Sequence, residues 1–150
     1  MQNDRRDSAF GYHLWLLNRL AQGHFSKVLA PLSIGPGQQV YLLALQESEC
    51  IHQDALAQRL SVDKSNVTRA LTALSNEGYL ERNKSPADGR QWLVCLTPKG
   101  ISARREVIAH AQAWMEELKA PLSDAEWQQL TGLLAKVCQP FAGFKPTDSS

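Results

Sequence analysis

The stretch Asp63-Lys-Ser-Asn-Val-Thr-Arg-Ala-Leu-Thr-Ala-Leu-Ser-Asn-Glu-Gly78 has the ends and the periodicity of one amphipathic helix. An aspartate can cap the first turn by accepting hydrogen bonds from its free amides, and a glycine can adopt the left-handed conformation that ends a helix. Apolar residues recur at helical spacing and predict one buried face, formed by Val67, Ala70, Leu71 and Leu74.

The opposite face of this predicted helix is polar. It carries short hydrogen-bonding side chains around one arginine: Ser65, Asn66, Thr68, Arg69 and Thr72. Such side chains read base edges and phosphates in a DNA major groove, which favours a recognition helix. An ordinary surface helix also has a polar face, so the flanking segments have to decide between the two interpretations.

The residues before this helix predict a shorter helix that braces it. We expect that helix over Gln53–Leu60, joined to the longer one by Ser61-Val62-Asp63. Its inward residues are expected to be Leu56, Ala57 and Leu60. Two helices joined by a turn of three to four residues form a helix-turn-helix, in which the first helix supports the second across the groove.

Another helix is predicted upstream, over residues 36–46, with Pro36 at its first position after the turn-forming run Ser33-Ile-Gly-Pro-Gly37. Its buried residues are expected to be Val40, Leu43 and Ala44. Between it and the helix-turn-helix, Cys50-Ile51-His52 is predicted to be a short extended piece.

Two antiparallel strands are predicted downstream, over residues 79–82 and 91–96. Trp92, Val94 and Leu96 alternate onto one face of the second strand. The loop between the strands is rich in turn-forming residues, which indicates a hairpin.

This hairpin loop is basic, because it presents Lys84 and Arg90. A basic loop beside a helix-turn-helix is typical of the wing of a winged-helix domain. Its arginine is favoured in the minor groove, where the negative potential is concentrated. Asp88 either forms the turn or holds Arg90 in position, and turn formation is the favoured interpretation.

The two ends of the chain are strongly apolar. A helix over about residues 8–30 has apolar residues on several sides: Phe10, Tyr12, Leu14, Trp15, Leu16, Leu17, Leu20 and Ala21. Such a helix needs more cover than one face of a small fold supplies, which predicts a subunit interface. The alternative is a central core helix of a monomer.

The second apolar end starts at Thr97-Pro98, an N-cap followed by proline at the first helical position. It predicts a long helix to about residue 120. Ser123-Asp-Ala-Glu126 is a capping box that opens the last helix. No repeat and no long linker divides the chain, so we expect a single domain.

Charge is distributed unevenly along the chain. The segment from Arg59 to Arg105 contains nine basic and four acidic residues, a balance of +5 in a chain whose net charge is +1. A basic middle between acidic ends is the electrostatic pattern of a DNA-binding module.

Composition excludes several other classes. An apolar fraction of 43% is ordinary for a globular protein, and no apolar run approaches the roughly 20 residues of a membrane span. The polar start predicts a cytoplasmic protein. Cys50, Cys95 and Cys138 are far apart and odd in number, so they predict no zinc site and no disulfide framework and are expected to be inert small apolar residues.

Several short motifs, in this order and spacing, resemble the MarR (multiple antibiotic resistance regulator) family. They are Gln38-Gln-Val-Tyr-Leu-Leu43, Leu56-Ala-Gln-Arg-Leu60, Ser65-Asn-Val-Thr-Arg69, Leu74-Ser-Asn-Glu-Gly-Tyr-Leu80, Asp88-Gly-Arg90 and Val94-Cys-Leu-Thr-Pro-Lys-Gly100. The resemblance covers nearly the whole chain. No single motif is diagnostic, but the series is highly specific.

The resemblance implies a mainly α fold with a small β-wing. It places a winged helix-turn-helix over about residues 36–100 and dimerisation helices over about 8–30 and 98–142. It also implies a homodimeric transcription regulator, usually a repressor, that binds a pseudo-palindromic DNA operator and often responds to a small aromatic or phenolic effector or to oxidants. Whether this chain represses or activates is left open.

The resemblance also implies which residues bind. The DNA contacts fall on Ser65, Asn66, Thr68, Arg69, Thr72, Lys84, Asp88 and Arg90. Effector contacts are expected among His13, Trp15, Tyr41 and His52, although aromatic residues at helical spacing are more often core. Two departures from the family pattern stand out: Gly89 replaces a basic residue, and Trp92 is bulky for its strand position.

Three alternatives compete with this interpretation. An enzyme is disfavoured, because the histidines lack metal spacing and no phosphate loop or nucleophile motif appears, so no cofactor is expected. A winged helix that binds only protein would not need the basic segment or Arg90. A redox-responsive regulator that uses a cysteine is the third, although the first helix lacks the reactive cysteine of the family's peroxide sensors.

Overall fold

The computed structural model describes residues 2–141, with side chains from residue 9 to residue 140. The helices are α1 (Gln2–Leu29), α2 (Gln39–Leu43), α3 (Gln53–Leu60), α4 (Lys64–Asn76), α5 (Pro98–Lys119) and α6 (Asp124–Cys138), with short 3-10 turns at Ala30–Leu32 and Gln139–Phe141. The strands are β1 (Cys50–His52), β2 (Leu80–Lys84) and β3 (Trp92–Leu96). The predicted fold class, mainly α with a small β-wing, is confirmed.

The core lies where the C-terminal end of α1, α2, α3, α4, the sheet and the first half of α5 meet. The largest fully buried side chains are Leu29, Leu42, Leu45, Leu56, Val67, Leu71, Leu74, Val94 and Val107. Val67, Ala70, Leu71 and Leu74 form the buried face of α4, as its periodicity predicts. The recognition helix is therefore attached to the core along one stripe, and its other face is left to solvent.

Hydrogen bonds end α4 at Gly78 as predicted, whereas the side-chain cap predicted at its start is missing. Gly78 has φ +78°, and the amides of Gly78 and Tyr79 donate to the carbonyls of Ser75 and Leu74 at 2.9 Å, so the predicted glycine stop is confirmed. Asp63 occupies the N-cap position, but its carboxylate makes no capping hydrogen bond. The predicted side-chain cap is therefore wrong. The carboxylate is exposed, so water competes with the helix amides for its hydrogen bonds.

The helix predicted over residues 36–46 is shorter than expected. Gly37 has φ +85°, a turn conformation that keeps Pro36 outside the helix, and α2 begins only at Gln39. The predicted buried set is also wrong in part, because Val40 is 39% exposed. The residues that α2 and its C-terminal end bury are Gln39, Tyr41, Leu42, Ala44 and Leu45.

The sheet has three antiparallel strands in the order β1-β3-β2, one more than the two predicted. Cys50-Ile51-His52 is extended as expected, and it pairs with β3 so that Cys50 lies opposite Cys95. Their Cα atoms are 4.4 Å apart and their sulfurs form a disulfide. The expectation of inert cysteines without a disulfide is therefore wrong for this pair, while Cys138 is a free, exposed thiol.

The start of α5 packs closely on the end of α4. The Thr97 hydroxyl donates to the carbonyl of Gly78 at 2.6 Å and accepts from the amide of Gly100 at 2.9 Å, which confirms the predicted N-cap. A side chain at Gly100 would collide with the Tyr79 carbonyl. This contact fixes the point at which the long helix leaves the winged core, which is the part of the chain from α2 to β3, residues 39–96.

The terminal helices bury far fewer of their apolar side chains. Large apolar residues stay exposed on α1 and α6: Phe10, Tyr12, Leu14, Trp15, Leu17 and Leu20 on α1, and Leu130, Leu133, Leu134 and Val137 on α6. The predicted capping box of α6 is present, since Ser123 and Glu126 bond each other reciprocally. Among the described residues, no helix is long and apolar enough to cross a membrane.

Candidate nucleic-acid interface

The outward face of α4 presents the polar residues predicted to contact DNA. Ser65, Asn66, Thr68, Arg69 and Thr72 are all exposed. The opposite side of the helix is held by Val67, Leu71 and Leu74, none of which is accessible to solvent. This division follows directly from the helical period of the sequence.

Hydrogen bonds orient side chains on this exposed face. Arg69 Nη2 donates to Asn66 Oδ1, one helical turn earlier. The hydroxyl of Thr68 donates to the carbonyl of Lys64 at 2.9 Å, and that of Thr72 donates to the carbonyl of Thr68 at 2.7 Å. These bonds reduce the rotamer freedom that binding would otherwise have to remove.

Two residues that the sequence interpretation missed connect α4 to the rest of the module. Gln53, at the start of α3, donates from Nε2 to Thr68 Oγ1 at 2.9 Å. Arg82 of β2 donates from Nη2 to Gln53 Oε1 at 2.7 Å and from Nη1 to Thr72 Oγ1 at 3.2 Å. The supporting helix, the recognition helix and the wing strand therefore meet in one hydrogen-bond network.

One signal for this network exists in the sequence. Arg82 stands two residues after the buried Leu80, so a period of two places it on the inward side of its strand. A charged residue at an inward position needs polar partners. The sequence does not predict which residues are those partners, because Gln53 and Arg82 are 29 residues apart.

Trp92 supports the basic residues at the base of the wing. Lys84 Nζ lies 4.0 Å and Arg82 Cζ lies 5.1 Å from the centre of its ring, both at cation-π distances. Lys84 and Trp92 are paired across the two wing strands. The bulky residue at this strand position thus has a physical role, because its ring face attracts both cations.

The tip of the wing is a turn formed by Asp88. Its Oδ1 accepts from the amide of Arg90 at 3.0 Å, and its carbonyl accepts from the amide of Gln91 at 3.0 Å. These bonds agree with the favoured turn interpretation, and the guanidinium of Arg90 has no hydrogen-bond or ion-pair partner among the described residues. Arg90 is therefore exposed and available to an anionic partner.

Part of the basic segment is already neutralised within the chain. Arg59 pairs with Glu49 at 2.7 Å, Lys64 with Asp54 at 2.8 Å and Arg105 with Glu47 at 2.8 Å. Hydrogen bonding to Arg59 and Arg105 lowers the pKa values of Glu49 and Glu47 below their usual range. The balance of +5 overstates the charge offered to DNA, and the exposed cations that lack an acidic partner in the described chain include Arg69, Lys84 and Arg90.

The four residues predicted to bind an effector differ in their surroundings. His52 lines a small pocket of about 80 Å³ at the wing, together with Arg90 and Trp92, and this pocket contains none of the other three candidates. Tyr41 is buried, and burial raises the pKa of its hydroxyl, with the positive charge of Arg69 acting in the opposite direction. His13 and Trp15 lie on the exposed surface of α1.

A polar helix braced by a second helix across a tight turn, next to a small sheet with a basic hairpin, defines a winged helix-turn-helix protein. Among the described residues, no cluster of His, Cys, Asp or Glu is arranged to hold a metal ion.

Comparison with known proteins identifies the family. The model of the MarR family matches residues 34–92. The multiple antibiotic resistance protein MarR of Salmonella typhimurium is 31% identical over 128 residues, which cover 85% of this chain and 89% of that protein. The chain belongs to the MarR family of winged helix-turn-helix transcription regulators.

Solved structures agree with this assignment. A MarR transcriptional regulator from Methanosarcina mazei Go1 superposes with a TM-score of 0.81 at 29% identity, covering 89% of this chain and 96% of that one. A mutant MarR from E. coli, crystallised in complex with operator DNA, superposes with a TM-score of 0.77 at 31% identity and covers 86% of this chain and 93% of its own. The Methanosarcina mazei protein is described as a transcriptional regulator.

Proposed function

We propose that the protein is a homodimeric, sequence-specific DNA-binding repressor of nearby genes that acts in the cytoplasm. The observation that carries the proposal is the continuous polar surface formed by the exposed face of α4 and the wing, which Gln53 and Arg82 connect by hydrogen bonds. The similarity to a MarR crystallised on operator DNA supports it.

In this proposal each chain reads half of an operator. Ser65, Asn66, Thr68, Arg69 and Thr72 contact bases and phosphates in the major groove. Lys84 and Arg90 contact the backbone and the adjacent minor groove, with Asp88 shaping the loop that presents Arg90. A second copy places its α4 in the next major groove, about 34 Å away along the duplex.

The apolar surfaces of α1 and α6 support the proposed dimer. Phe10 and Trp15 on α1 and Leu133 and Val137 on α6 are each 54–55% exposed, and a folded chain rarely leaves so many large apolar residues in water. A second copy can cover these surfaces through a two-fold interface. The dimer then fixes the distance between the two recognition helices.

A small aromatic or phenolic effector is part of the proposal, with His13, Trp15, Tyr41 and His52 as its candidate contacts. Because His13 and Trp15 are exposed on α1, a pocket there requires cover from the second copy. An effector that prefers a dimer with a different helix separation weakens operator binding through that preference alone. Release of bound DNA during titration with small phenolic acids tests this part.

The basic wing and the polar face of α4 argue against a module that binds only protein, because such a module needs neither. The disulfide between Cys50 and Cys95 favours the redox-responsive alternative, which does not exclude an aromatic effector.

The DNA-binding proposal is tested with Arg69→Ala and Arg90→Ala, measured against DNA from upstream of the protein's own gene. Each variant is expected to weaken binding by about tenfold or more, as expected for loss of a contact worth roughly 1–3 kcal/mol. Loss of a phosphate contact also lowers the slope of log affinity against log salt by about one.

The matched control is Arg105→Ala, which removes the same charge from a residue that pairs with Glu47 outside the proposed interface. It should leave affinity nearly unchanged. Unchanged affinity in both test variants, together with a flat salt dependence, would show that the surface does not bind DNA.

A further inference from the structure

The disulfide between Cys50 and Cys95 joins two parts of the DNA-binding module that have separate tasks. Cys50 is the first residue of β1, a strand of three residues that continues directly into α3. Cys95 lies in β3, the strand that returns from the wing. The bond therefore connects the entry of the helix-turn-helix to the base of the wing.

The covalent loop closed by this bond contains the whole proposed reading surface. Residues 51–94 include α3, α4, β2 and the wing loop, and with them every residue proposed above to contact DNA. The hydrogen-bond network of Gln53, Thr68, Thr72 and Arg82 also lies inside the loop. No other pair of described cysteines is bonded, since Cys138 is free.

Without the disulfide, little else holds β1 to the sheet. The strand offers only three residues to pair with β3, and Ile51 is its one buried apolar side chain. So short an edge strand is marginally stable by itself. Since β1 leads into α3 without an intervening loop, fraying of β1 would loosen the attachment of Gln53 and so weaken its bond to Thr68.

Both sulfurs are placed for reversible chemistry. The register of β1 on β3 places Cys50 opposite Cys95, so the two thiols meet whenever β1 pairs with β3. Cys50 is exposed, which gives small oxidants and dithiol reductants access to it. In proteins of reducing compartments, a disulfide is usually transient and redox-sensing.

We propose that Cys50 and Cys95 form a reversible oxidation site that responds to peroxides, and that the disulfide form is the one with higher operator affinity. The proposal rests on the DNA-binding function proposed above. It differs from that function in assigning a chemical signal to the sheet that connects the wing to the helix-turn-helix.

The reaction balances with hydrogen peroxide as the oxidant. One thiolate attacks a peroxide oxygen and breaks the O–O bond, giving a sulfenic acid and, after protonation, one water. The second thiol then displaces the sulfenic oxygen as a second water and forms the S–S bond. The two cysteines lose two electrons in total, which the peroxide gains. A small dithiol returns both thiols by exchange and is itself oxidised.

The effect on DNA follows from preorganisation. A closed loop holds the wing and α4 in one relative position before DNA arrives, so less conformational freedom is lost on binding. Reduction removes none of the side chains proposed to contact DNA and only loosens the support that Gln53 gives to Thr68. The expected consequence is a graded loss of affinity rather than its abolition.

The experiment uses the full chain with Cys138→Ser, which removes the third thiol from the readout. Protein treated with peroxide and desalted is compared with protein reduced by dithiothreitol, and thiol labelling counts the free cysteines in each sample. The probe is duplex DNA from upstream of the protein's own gene. Oxidised protein is expected to bind about fivefold to tenfold more tightly than reduced protein, a change typical of preorganising a binding surface.

The matched control adds Cys50→Ser and Cys95→Ser to the same background. This control should bind with the affinity of the reduced protein under both treatments. Equal affinity of the oxidised and reduced samples, tighter binding by the reduced sample, or a peroxide effect that persists in the serine control would overturn the inference and leave the DNA-binding function standing. Absence of binding in every sample would instead overturn the proposed function, and the inference with it.

Discussion

The winged core and the terminal helices α1 and α6 both carry large apolar side chains, but the winged core buries them and the terminal helices leave many of them exposed to solvent. In the winged core, Val67 and Leu71 of α4 have no solvent exposure at all. On the terminal helices, Trp15 of α1 is 54% exposed and Leu133 of α6 is 54% exposed. Both regions are amphipathic helices with strong apolar faces, so the difference lies in what covers those faces.

This contrast indicates that one region is complete within a single chain and the other is not. The apolar face of α4 is closed by α3 and β2, whereas large parts of the apolar surface on α1 and α6 face solvent. A surface of that kind is favourable only when another surface removes it from water. The winged core therefore presents its exposed polar face without a second chain, and in the proposed dimer the spacing of two such faces depends on the terminal helices.

The largest expected effect comes from truncating one leucine in each region. Leu71→Ala should lower the free energy of unfolding by about 2–5 kcal/mol, because it leaves a cavity in a closed core. Leu133→Ala should weaken the proposed dimer interface instead. The variant dimer should dissociate at a higher protein concentration than the wild-type dimer, so the difference in stability between them should grow on dilution. Chemical denaturation at widely separated protein concentrations measures both effects.

A Leu133→Ala effect that is as large as that of Leu71→Ala and independent of protein concentration would break the comparison. It would mean that α6 is stabilised within the single chain.

A smaller effect is expected from the ion pairs of the two regions. In the winged core, Arg59 binds both carboxylate oxygens of Glu49, and the two side chains are 28% and 27% exposed. Between α5 and α6, Lys119 pairs with Asp124, and these side chains are 37% and 86% exposed. Glu49→Gln should cost about 1 kcal/mol at neutral pH, and Asp124→Asn nearly nothing, because exposed ion pairs contribute little.

The pH dependence gives the sign of the Glu49 contribution. Hydrogen bonding to Arg59 lowers the pKa of this carboxyl below its ordinary value of 4.5, so the folded state favours the charged form. Its stabilisation is complete above that ordinary value and disappears as the pH falls through the lowered pKa. Urea denaturation should therefore separate wild type from Glu49→Gln at pH 7 and bring them together at strongly acidic pH; a constant difference would contradict this origin.

The sequence predicts the elements whose signals are local. The helical period and the glycine at position 78 define α4, Thr97-Pro98 starts α5, and Ser123 with Glu126 opens α6. The exposed positions of the proposed DNA contacts on α4 follow from the same period. Each of these signals involves residues within one or two helical turns of one another.

Features that depend on contacts between residues far apart in the sequence could not be predicted from the sequence. The disulfide joins cysteines that are 45 residues apart, and only the register of β1 on β3 places them together. Gln53 and Arg82 meet because α3, α4 and β2 converge. The side-chain cap expected from Asp63 failed for a different reason, since competition from water decides whether an exposed carboxylate forms such a bond.

The central claim is that two chains, joined through α1 and α6, read one operator. The most direct test is analytical ultracentrifugation with and without operator DNA. It compares wild type with Leu133→Glu and with Gln128→Glu, a matched control that adds the same charge elsewhere on α6. Wild type and Gln128→Glu should sediment at twice the chain mass of 16.7 kDa and bind DNA as two chains per duplex. Leu133→Glu should sediment as a monomer with sharply weakened binding, because a charge cannot be buried unpaired in an apolar interface. A monomeric wild type that binds its operator one chain at a time, with the same affinity as Leu133→Glu, would contradict the account.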